Sequence, residues 1–467
     1  MQFKIKPLLI FFFFLYILKS SAQGLTEIPL PSNLNKPDDF SVMPDTSGNW
    51  GIYLKDFRNY YFMVVDKAGG VLAKKTIDRK DEMYGEDKIF VGGFYSSEGF
   101  YFFFKNNLDN IHFYSYFLSK KNTDDVYYKN GIVSDNNEII LKTFSVNNTF
   151  YIMTMNKKEN TVSFLKFMNE SQFERRTFIL EKGLFKILKK GNFIVVSNNE
   201  VNQVSTLTNS QKLFVDDGAK FYFVLDNNSI HSKAFGNTKI VCFDLINGNV
   251  ESSVLPGKSD VSSSWYLDGK LFKFMQGVED LRFYIYKVDD KSIIKKYEYK
   301  YGDSITVAPS GVLSGEELLE KEKKIFDKLT YGGSPFMQVV KKENGEIYLF
   351  AGSYRETQAA GMMMGGMGTT SISTPSGTAT IPGGSMMTSG PGGVSNVSIT
   401  WFNTLLDNDF NVQKTRGIQP DIFKLEKYIN ALSVRKSVKN GVISLKIGDA
   451  IYVAYVSERE IRIVKIR

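Results

Sequence analysis

Short runs of β-branched and aromatic residues, separated by turns rich in Asn, Asp, Gly and Lys, make up most of the chain. Apolar residues at helical spacing are rare by comparison. Clear pairs of predicted strands lie at 51–55 with 60–65, at 100–104 with 111–118, and at 149–155 with 161–167. This pattern is typical of an all-β sandwich, barrel or propeller.

The predicted strands repeat along the chain. The first strands of the three pairs begin at residues 51, 100 and 149, and a period of about 50 residues indicates a repeat architecture. Two of the candidate units, 184–216 and 219–254, are short and could form one blade. We therefore predict one β-propeller domain over residues 23–467, with seven or eight four-stranded blades. The candidate units are 39–77, 88–128, 138–181, 184–216, 219–254, 262–299, 336–416 and 427–466.

The N-terminus has the pattern of an export signal. A basic head with Lys4 and Lys6 precedes an apolar run from Pro7 to Leu18, and a small residue, Ala22, follows. The run is shorter than the about 20 residues that a membrane-spanning helix needs. We predict that residues 1–22 are a cleaved signal peptide, that no transmembrane segment remains, and that the protein is secreted or periplasmic. No cysteine lies at the cleavage site, so we do not expect a lipoprotein.

A helix is predicted at 314–329, inserted between blades. Ser314 and Glu317 have the spacing of a capping box, and apolar residues from Leu318 to Leu329 share one helical face. An apolar stripe normally packs against the rest of the protein, so a covering role is favoured over a partner-binding role.

A second interruption, 357–397, consists mainly of Gly, Ser, Thr and Met and has almost no charge. Such a segment cannot bury a core, and we predict a disordered loop within a blade. Met364 and Met367 are weak candidates for a Cu(I) site, because thioethers are soft ligands. A tolerated insertion or an adaptable binding surface are the alternatives.

Composition excludes several classes of function. The 58 basic residues, less the three lysines of the signal peptide, stand against 50 acidic ones, and they are scattered along the chain. We therefore expect no nucleic-acid partner. Cys242 is the only cysteine, which excludes an intramolecular disulfide and a multi-cysteine metal site. We expect a monomer without a cofactor.

Few residues indicate catalysis. The two histidines, His112 and His231, match no zinc or Ser-His-Asp motif and are interpreted as structural. Asp407 and Asp409 are weak candidates for calcium, because the Gly and terminal Glu of an EF-type loop are missing. Pairs of acidic residues, as used in glycoside cleavage, cannot be recognised from the sequence. Enzyme activity is thus left open and not favoured, and catalytic residues are unknown.

The segment Asn344–Tyr354, followed by a variable insert and then by Ser398–Phe402 and Asp407–Phe410, resembles secreted β-propeller-like proteins of the Bacteroidota. The resemblance covers 344–416 and implies the fold and export, not an activity. Trp-Asp, kelch and sialidase signatures are missing.

Three functions are compatible with these patterns. The leading hypothesis is an exported, non-catalytic binding or scaffold propeller at the bacterial cell envelope that holds a protein, glycan or peptide. It predicts no cluster of strongly perturbed ionisable groups in the central channel. The first alternative is a propeller-type carbohydrate hydrolase or lyase, which predicts convergent Asp, Glu, Tyr and Arg residues there. The second is a structural or adhesive surface component that works through the Met-rich loop.

Overall fold

A computed structural model describes most of the chain. Within the described residues, the strands form seven sheets, one for each blade of a β-propeller. The described residues are 22–34, 37–78, 88–106, 113–120, 126–130, 137–169, 171–196, 204–216, 219–257, 260–358, 371–374, 377–380, 395–413, 420–433, 440–447, 450–457 and 460–466.

Blades 1 to 3 each contain four antiparallel strands in chain order. They are preceded by β1 (Ala22–Pro29), which belongs to the last blade. Blade 1 comprises β2 (Asp39–Pro44), β3 (Trp50–Lys55), β4 (Asn59–Val65) and β5 (Val71–Asp78); blade 2 comprises β6 (Lys88–Tyr95), β7 (Gly99–Asn106), β8 (Phe113–Ser119) and β9 (Val126–Asn130); blade 3 comprises β10 (Glu138–Val146), β11 (Thr149–Asn156), β12 (Thr161–Phe167) and β13 (Phe173–Ile179).

The two short candidate units, 184–216 and 219–254, form one sheet, and this is why the described blades number seven. In blade 4 a short strand, β14, lies parallel to β15 on its free edge. The elements are α1 (Lys182–Leu188), β14 (Ile194–Val196), α2 (Val204–Leu207), β15 (Gln211–Asp216), β16 (Lys220–Asp226), β17 (Thr238–Asp244) and β18 (Asn249–Leu255). Blade 5 follows with β19 (Val261–Leu267), β20 (Lys270–Gln276), β21 (Asp280–Lys287) and β22 (Ile293–Lys300).

Blade 6 takes strands out of chain order, as β24-β23-β29-β26-β25, with β30 also paired to β29. In the last sheet β33 lies between β1 and β32, and β27 with β28 extends the edge of β31. The elements are β23 (Val312–Ser314), β24 (Glu317–Leu319), α3 (Glu322–Thr330), β25 (Ser334–Lys341), β26 (Ile347–Gln358), β27 (Ser371–Thr374), β28 (Gly377–Thr380), β29 (Ser395–Leu406), β30 (Val412–Gln413), α4 (Asp421–Ser433), β31 (Asn440–Ile447), β32 (Ala450–Val456) and β33 (Glu460–Ile466).

The first strand of the chain closes the ring. β1 pairs antiparallel with β33, so that Ile28 lies opposite Ile461, and both side chains are fully buried. Blade 7 is thus built from both ends of the described chain. These hydrogen bonds join residues that are distant in sequence, and they connect the start of the described chain to blade 7.

Consecutive aromatic residues pack on both faces of a blade, because neighbouring side chains in a strand point to opposite faces. In β7 the Phe102 ring lies 5.2 Å from Phe62 of blade 1, and the Phe103 ring lies 4.3 Å from Phe150 of blade 3. Aromatic pairs at such distances stabilise packing beyond simple burial. These runs therefore form the core between blades.

The inserted helix is shorter than predicted. Residues 312–319 form a hairpin in which Ser314 lies opposite Glu317, and α3 begins only at Glu322. The hairpin is favoured because β23 pairs with β29, and the indole of Trp401 donates to the carbonyl of Gly315 at 3.1 Å. The predicted burial of Phe326 and Leu329 is confirmed. In the described part of the chain no helix is long and apolar enough to cross a membrane.

Three further helices, α1, α2 and α4, were not predicted, and α4 occupies the start of the unit 427–466. The apolar residues of α4 are buried and recur at helical spacing: Ile422, Leu425, Ile429 and Leu432. This spacing predicts a helix, but the strand repeat assigned part of the same segment to a blade. Of the predicted loop 357–397, the structure describes the ends of β26 and β29 and the hairpin of β27 and β28; the rest lies outside the described residues.

Candidate functional site

The two faces of the ring differ in their connections. One face carries the connections from the second to the third strand of each blade and those between blades, and we call it the loop face. The opposite face carries the connections from the first to the second and from the third to the fourth strand, and we call it the turn face. Loops that a rigid scaffold positions are common sites of binding.

A buried polar cluster joins blades 4 and 5 beneath the loop face. We call it the inter-blade cluster: Lys212, Asp226, Thr238, Ser262, Ser264 and Lys273. The carboxylate of Asp226 accepts two hydrogen bonds from Ser264, one from the backbone N–H at 2.8 Å and one from the hydroxyl at 2.7 Å. It accepts a third from the hydroxyl of Thr238 at 2.6 Å. The Ser262 hydroxyl adds a fourth bond at 3.1 Å. A buried carboxylate needs such donors to offset its desolvation.

Two buried lysines surround this carboxylate. The ammonium of Lys212 donates to the Ser263 hydroxyl at 3.2 Å, and that of Lys273 donates to the Gly236 carbonyl at 2.8 Å. Burial lowers the pKa of Lys212 to about 8, although the charge of Asp226 opposes the shift. Burial also lowers the pKa of Lys273. Both side chains are almost fully buried and bonded across the blade interface, so they act as ties between blades.

The cluster anchors the loop 227–237 of blade 4. Asn228 exchanges hydrogen bonds with the backbone of Ser262, at 2.9 Å in each direction. The loop also closes on itself, because the N–H of Asn227 donates to the carbonyl of Asn237 at 2.8 Å. Ile230 at its tip is 74% exposed. The backbone is thus well anchored while an apolar side chain is presented to solvent.

Further exposed apolar side chains lie on the loop face of blades 5 and 6. Val278, between β20 and β21, is 91% exposed, and Tyr331, directly after α3, is 75% exposed. The N–H of Tyr301 donates to the carbonyl of Glu279 at 2.8 Å, and its ring lies 5.9 Å from Phe326 of α3. We call Ile230, Val278, Tyr301 and Tyr331 the apolar loop-face residues.

A small cavity of about 90 Å³ lies on the turn face between blades 5 and 6. Its apolar walls come from β19, β20, β26 and the turn after β29, and its rim is polar. The apolar residues are Leu267, Phe272, Ile347 and Phe410, and the rim residues are Asp268, Lys270, Lys341, Gly345 and Asn408. We call it the turn-face pocket.

The predicted calcium ligands belong to a hairpin turn. The carboxylate of Asp407 accepts from the N–H groups of Asp409 and Asn411, at 2.9 and 2.8 Å, and from the side chains of Asn411 and Gln413. These donors hold its pKa below the usual value. Within the described ranges, no three His, Cys, Asp or Glu side chains are grouped to hold a metal ion. The Asp407 carboxylate therefore stabilises the hairpin turn through these hydrogen bonds.

Of the other candidate residues, the structure describes only His231. His231 is exposed on the loop 227–237, whereas His112, Met364 and Met367 lie outside the described residues. Sequence reasoning missed the inter-blade cluster. The signal that could have found it is Ser262-Ser263-Ser264, three consecutive hydroxyls within a buried strand. Such residues are seldom buried without polar partners.

The chain matches no protein-family profile and no curated protein sequence. Among solved structures, the WD40 domain of SCAP from fission yeast aligns over 96% of this chain and 98% of its own, with 8% identity and a TM-score of 0.29. The Dos1 propeller aligns over 94% of both chains, with 8% identity and a TM-score of 0.34.

A Synechocystis apocarotenoid oxygenase covers 56% of this chain at 10% identity, with a TM-score of 0.28, and the chain spans only 61% of that protein. Because these TM-scores are low, the fold is assigned from the strand pairings and not from the similar structures. Among the described residues, seven sheets, the last of them completed by the N-terminal strand β1, define a β-propeller.

Proposed function

We propose that the protein is exported after cleavage of residues 1–22 and acts at the bacterial cell envelope as a non-catalytic binding propeller. Its partner, a protein, glycan or peptide, is held on the loop face between blades 4 and 6. One observation carries this proposal: large apolar side chains are exposed there on anchored backbone, with Val278 91% exposed. Exposed apolar groups that share a face mark interaction sites, and a protein partner is favoured over a glycan.

The buried ionisable groups support a binding role over catalysis. Lys212, Lys273 and Asp226 are nearly inaccessible to solvent, and each forms a hydrogen bond with the neighbouring blade. A general acid or base has to reach a substrate, whereas these groups hold the loop 227–237 in place. Arg282 forms ion pairs with Asp260 at 2.6 Å and with Asp280, and these contacts stabilise blade 5 itself.

The test compares two purified variants of residues 23–467 with the wild type. The first changes Ile230, Val278 and Tyr331 to serine on the loop face, and the second changes Met168 and Ile246 to serine on the turn face. Met168 and Ile246 are 52% and 70% exposed, so both variants should fold. Each is used to capture partners from envelope extracts and is screened by thermal shift against peptides and glycan fragments.

We expect a specific partner to be lost with the loop-face variant and retained by the turn-face variant. Equal capture by all three proteins, or no ligand at all, would refute the loop face as the binding surface. Product formation from a glycan would instead support the hydrolase or lyase alternative. Export is tested separately by N-terminal sequencing of the envelope fraction, where the first residue should be Gln23.

A further inference from the structure

The turn-face pocket lies between three tight turns, and in two of them a residue other than glycine has left-handed backbone. Asp268 and Gly269 have φ of 46° and 72°, and Phe410 has φ of 61°. A bulky side chain in this region is a genuine outlier, and such strain is common at functional sites. The strained Phe410 packs its ring 6.0 Å from Phe272, and its carbonyl accepts from the hydroxyl of Tyr297 at 2.7 Å.

The size of the pocket restricts its occupant. Its volume of about 90 Å³ is well below the roughly 150 Å³ of a cavity that holds benzene. An aliphatic side chain of four carbons or fewer fits, whereas an aromatic ring or a sugar does not. The walls formed by Leu267, Phe272 and Ile347 favour an apolar group, since burial of each CH₂ contributes about 0.8 kcal/mol.

The charge of the rim adds a second requirement. The ammonium of Lys341 forms an ion pair with the carboxylate of Asp268 at 2.7 Å. The net charge of the rim is therefore the positive charge of Lys270. Within the described part of the chain, the contacts of the Lys270 ammonium are to neutral groups: the Asp268 carbonyl at 3.3 Å and the Phe410 ring at 5.8 Å. A carboxylate at the rim would therefore meet a cation that has no anionic partner there.

We infer that the turn-face pocket binds a peptide through an aliphatic side chain that lies next to a carboxylate. The side chain enters the apolar cavity, and the carboxylate meets Lys270. This carboxylate has two sources of the same chemistry, the C-terminus of the peptide or an adjacent Asp or Glu side chain. The site goes beyond the binding role of the loop face, because it lies on the opposite face of the ring.

The experiment measures binding of fluorescent peptides to residues 23–467 by anisotropy. One peptide ends in leucine with a free carboxylate, a second is its C-terminal amide, a third carries Asp beside an internal leucine, and a fourth replaces leucine by asparagine. The protein variants are Lys270→Met, which removes the charge and keeps the chain length, and Asn408→Phe, which covers the pocket from an exposed position. Lys67→Met, an exposed lysine on the turn face in the turn between β4 and β5 of blade 1, is the matched control.

We expect the asparagine peptide and the Asn408→Phe variant to lose at least tenfold in affinity. Lys270→Met should weaken the carboxylate peptides about tenfold and leave the amide unchanged, whereas Lys67→Met should bind as the wild type does. Comparison of the free carboxylate with the amide distinguishes the two sources of the carboxylate, because amidation weakens binding only when the C-terminus supplies it.

Equal binding of the leucine and asparagine peptides, or unchanged binding by Asn408→Phe, would overturn the site, as would failure of every peptide to bind. Melting curves of each variant show that a loss is not due to unfolding. The loop-face variant leaves the turn-face pocket intact. Lys270→Met and Asn408→Phe therefore test the pocket, and the loop-face variant tests the proposed function independently.

Discussion

The Asp226 carboxylate in the second strand of blade 4 accepts the backbone N–H of Ser264 in the first strand of blade 5, at 2.8 Å. The two residues are 38 positions apart, and both are buried. The bond crosses the interface between two blades, and most contacts at such interfaces are apolar. The packing of blade 4 against blade 5 therefore depends in part on one buried charge.

Replacing Asp226 by Asn should destabilise the ring by about 3 kcal/mol. The substitution removes the negative charge beside Lys212 and Lys273 and leaves buried cations without compensation. Urea unfolding of the two proteins measures the difference. The control is Asp409→Asn in an exposed turn, which should change stability by less than about 0.5 kcal/mol. A neutral Asp226→Asn would show that the cluster is not a structural tie.

The stability of the protein should rise with pH above about 8 through Lys212. Its folded pKa of about 8 lies below its unfolded value of 10.5, so between these values the unfolded chain binds more protons and stability increases with pH. The slope expected is about 1 kcal/mol per pH unit. It is measured as the difference between the wild type and Lys212→Met in urea unfolding at pH 7.5 to 9.5, where shared groups such as Cys242 cancel. Parallel pH profiles would contradict the lowered pKa of the buried Lys212.

Ring closure should depend on a single side chain of β1. Ile28 is fully buried opposite Ile461, whereas Leu25 of the same strand is 50% exposed. Ile28→Ala should cost about 3 kcal/mol, because it leaves a cavity in the core between blades 1 and 7, and Leu25→Ala should cost little. Thermal unfolding compares them. Equal effects of both substitutions would be inconsistent with closure by β1.

A methyl group at Gly51 should push blades 1 and 2 apart. A Cβ at this position would overlap the ring of Phe100 in the neighbouring blade, which is fully buried and cannot withdraw. Gly51→Ala should therefore cost about 1–3 kcal/mol. Gly183→Ala in α1, where a Cβ meets nothing within 4 Å, should instead stabilise by about 0.5–1 kcal/mol. The two proteins are compared by denaturant midpoint.

Replacement of 359–394 by Asn-Gly should leave the ring intact. Gln358 and Ser395 lie opposite each other at the ends of β26 and β29, so a two-residue turn can join them. An unchanged melting temperature is expected. If the structural or adhesive alternative is right, adhesion or Cu(I) binding of the wild type is lost with this replacement. Loss of folding would mean that the segment is part of the core.

The alternation of apolar and polar residues was enough to predict the strands, their faces and the propeller class. Phe102 and Phe103 illustrate why, since neighbours in an extended strand point to opposite faces whatever surrounds them. The local pattern could not predict which strand edges pair. β23 was interpreted as the start of a helix because Ser314 and Glu317 fit a capping box, but a hydrogen-bond partner in β29, far along the chain, decides its conformation.

By itself, the sequence determined the repeat, the turns and the aromatic core between blades. Only the tertiary structure decided the blade count, the closing strand and the two candidate sites. Blade 4 is one sheet because β15 of the first short unit pairs antiparallel with β16 of the second, and blade 7 is complete because β1 pairs with β33. The environments of Asp226, Lys212 and Lys270 are set in the same way. Each depends on groups brought together by long-range pairing, which local periodicity does not encode.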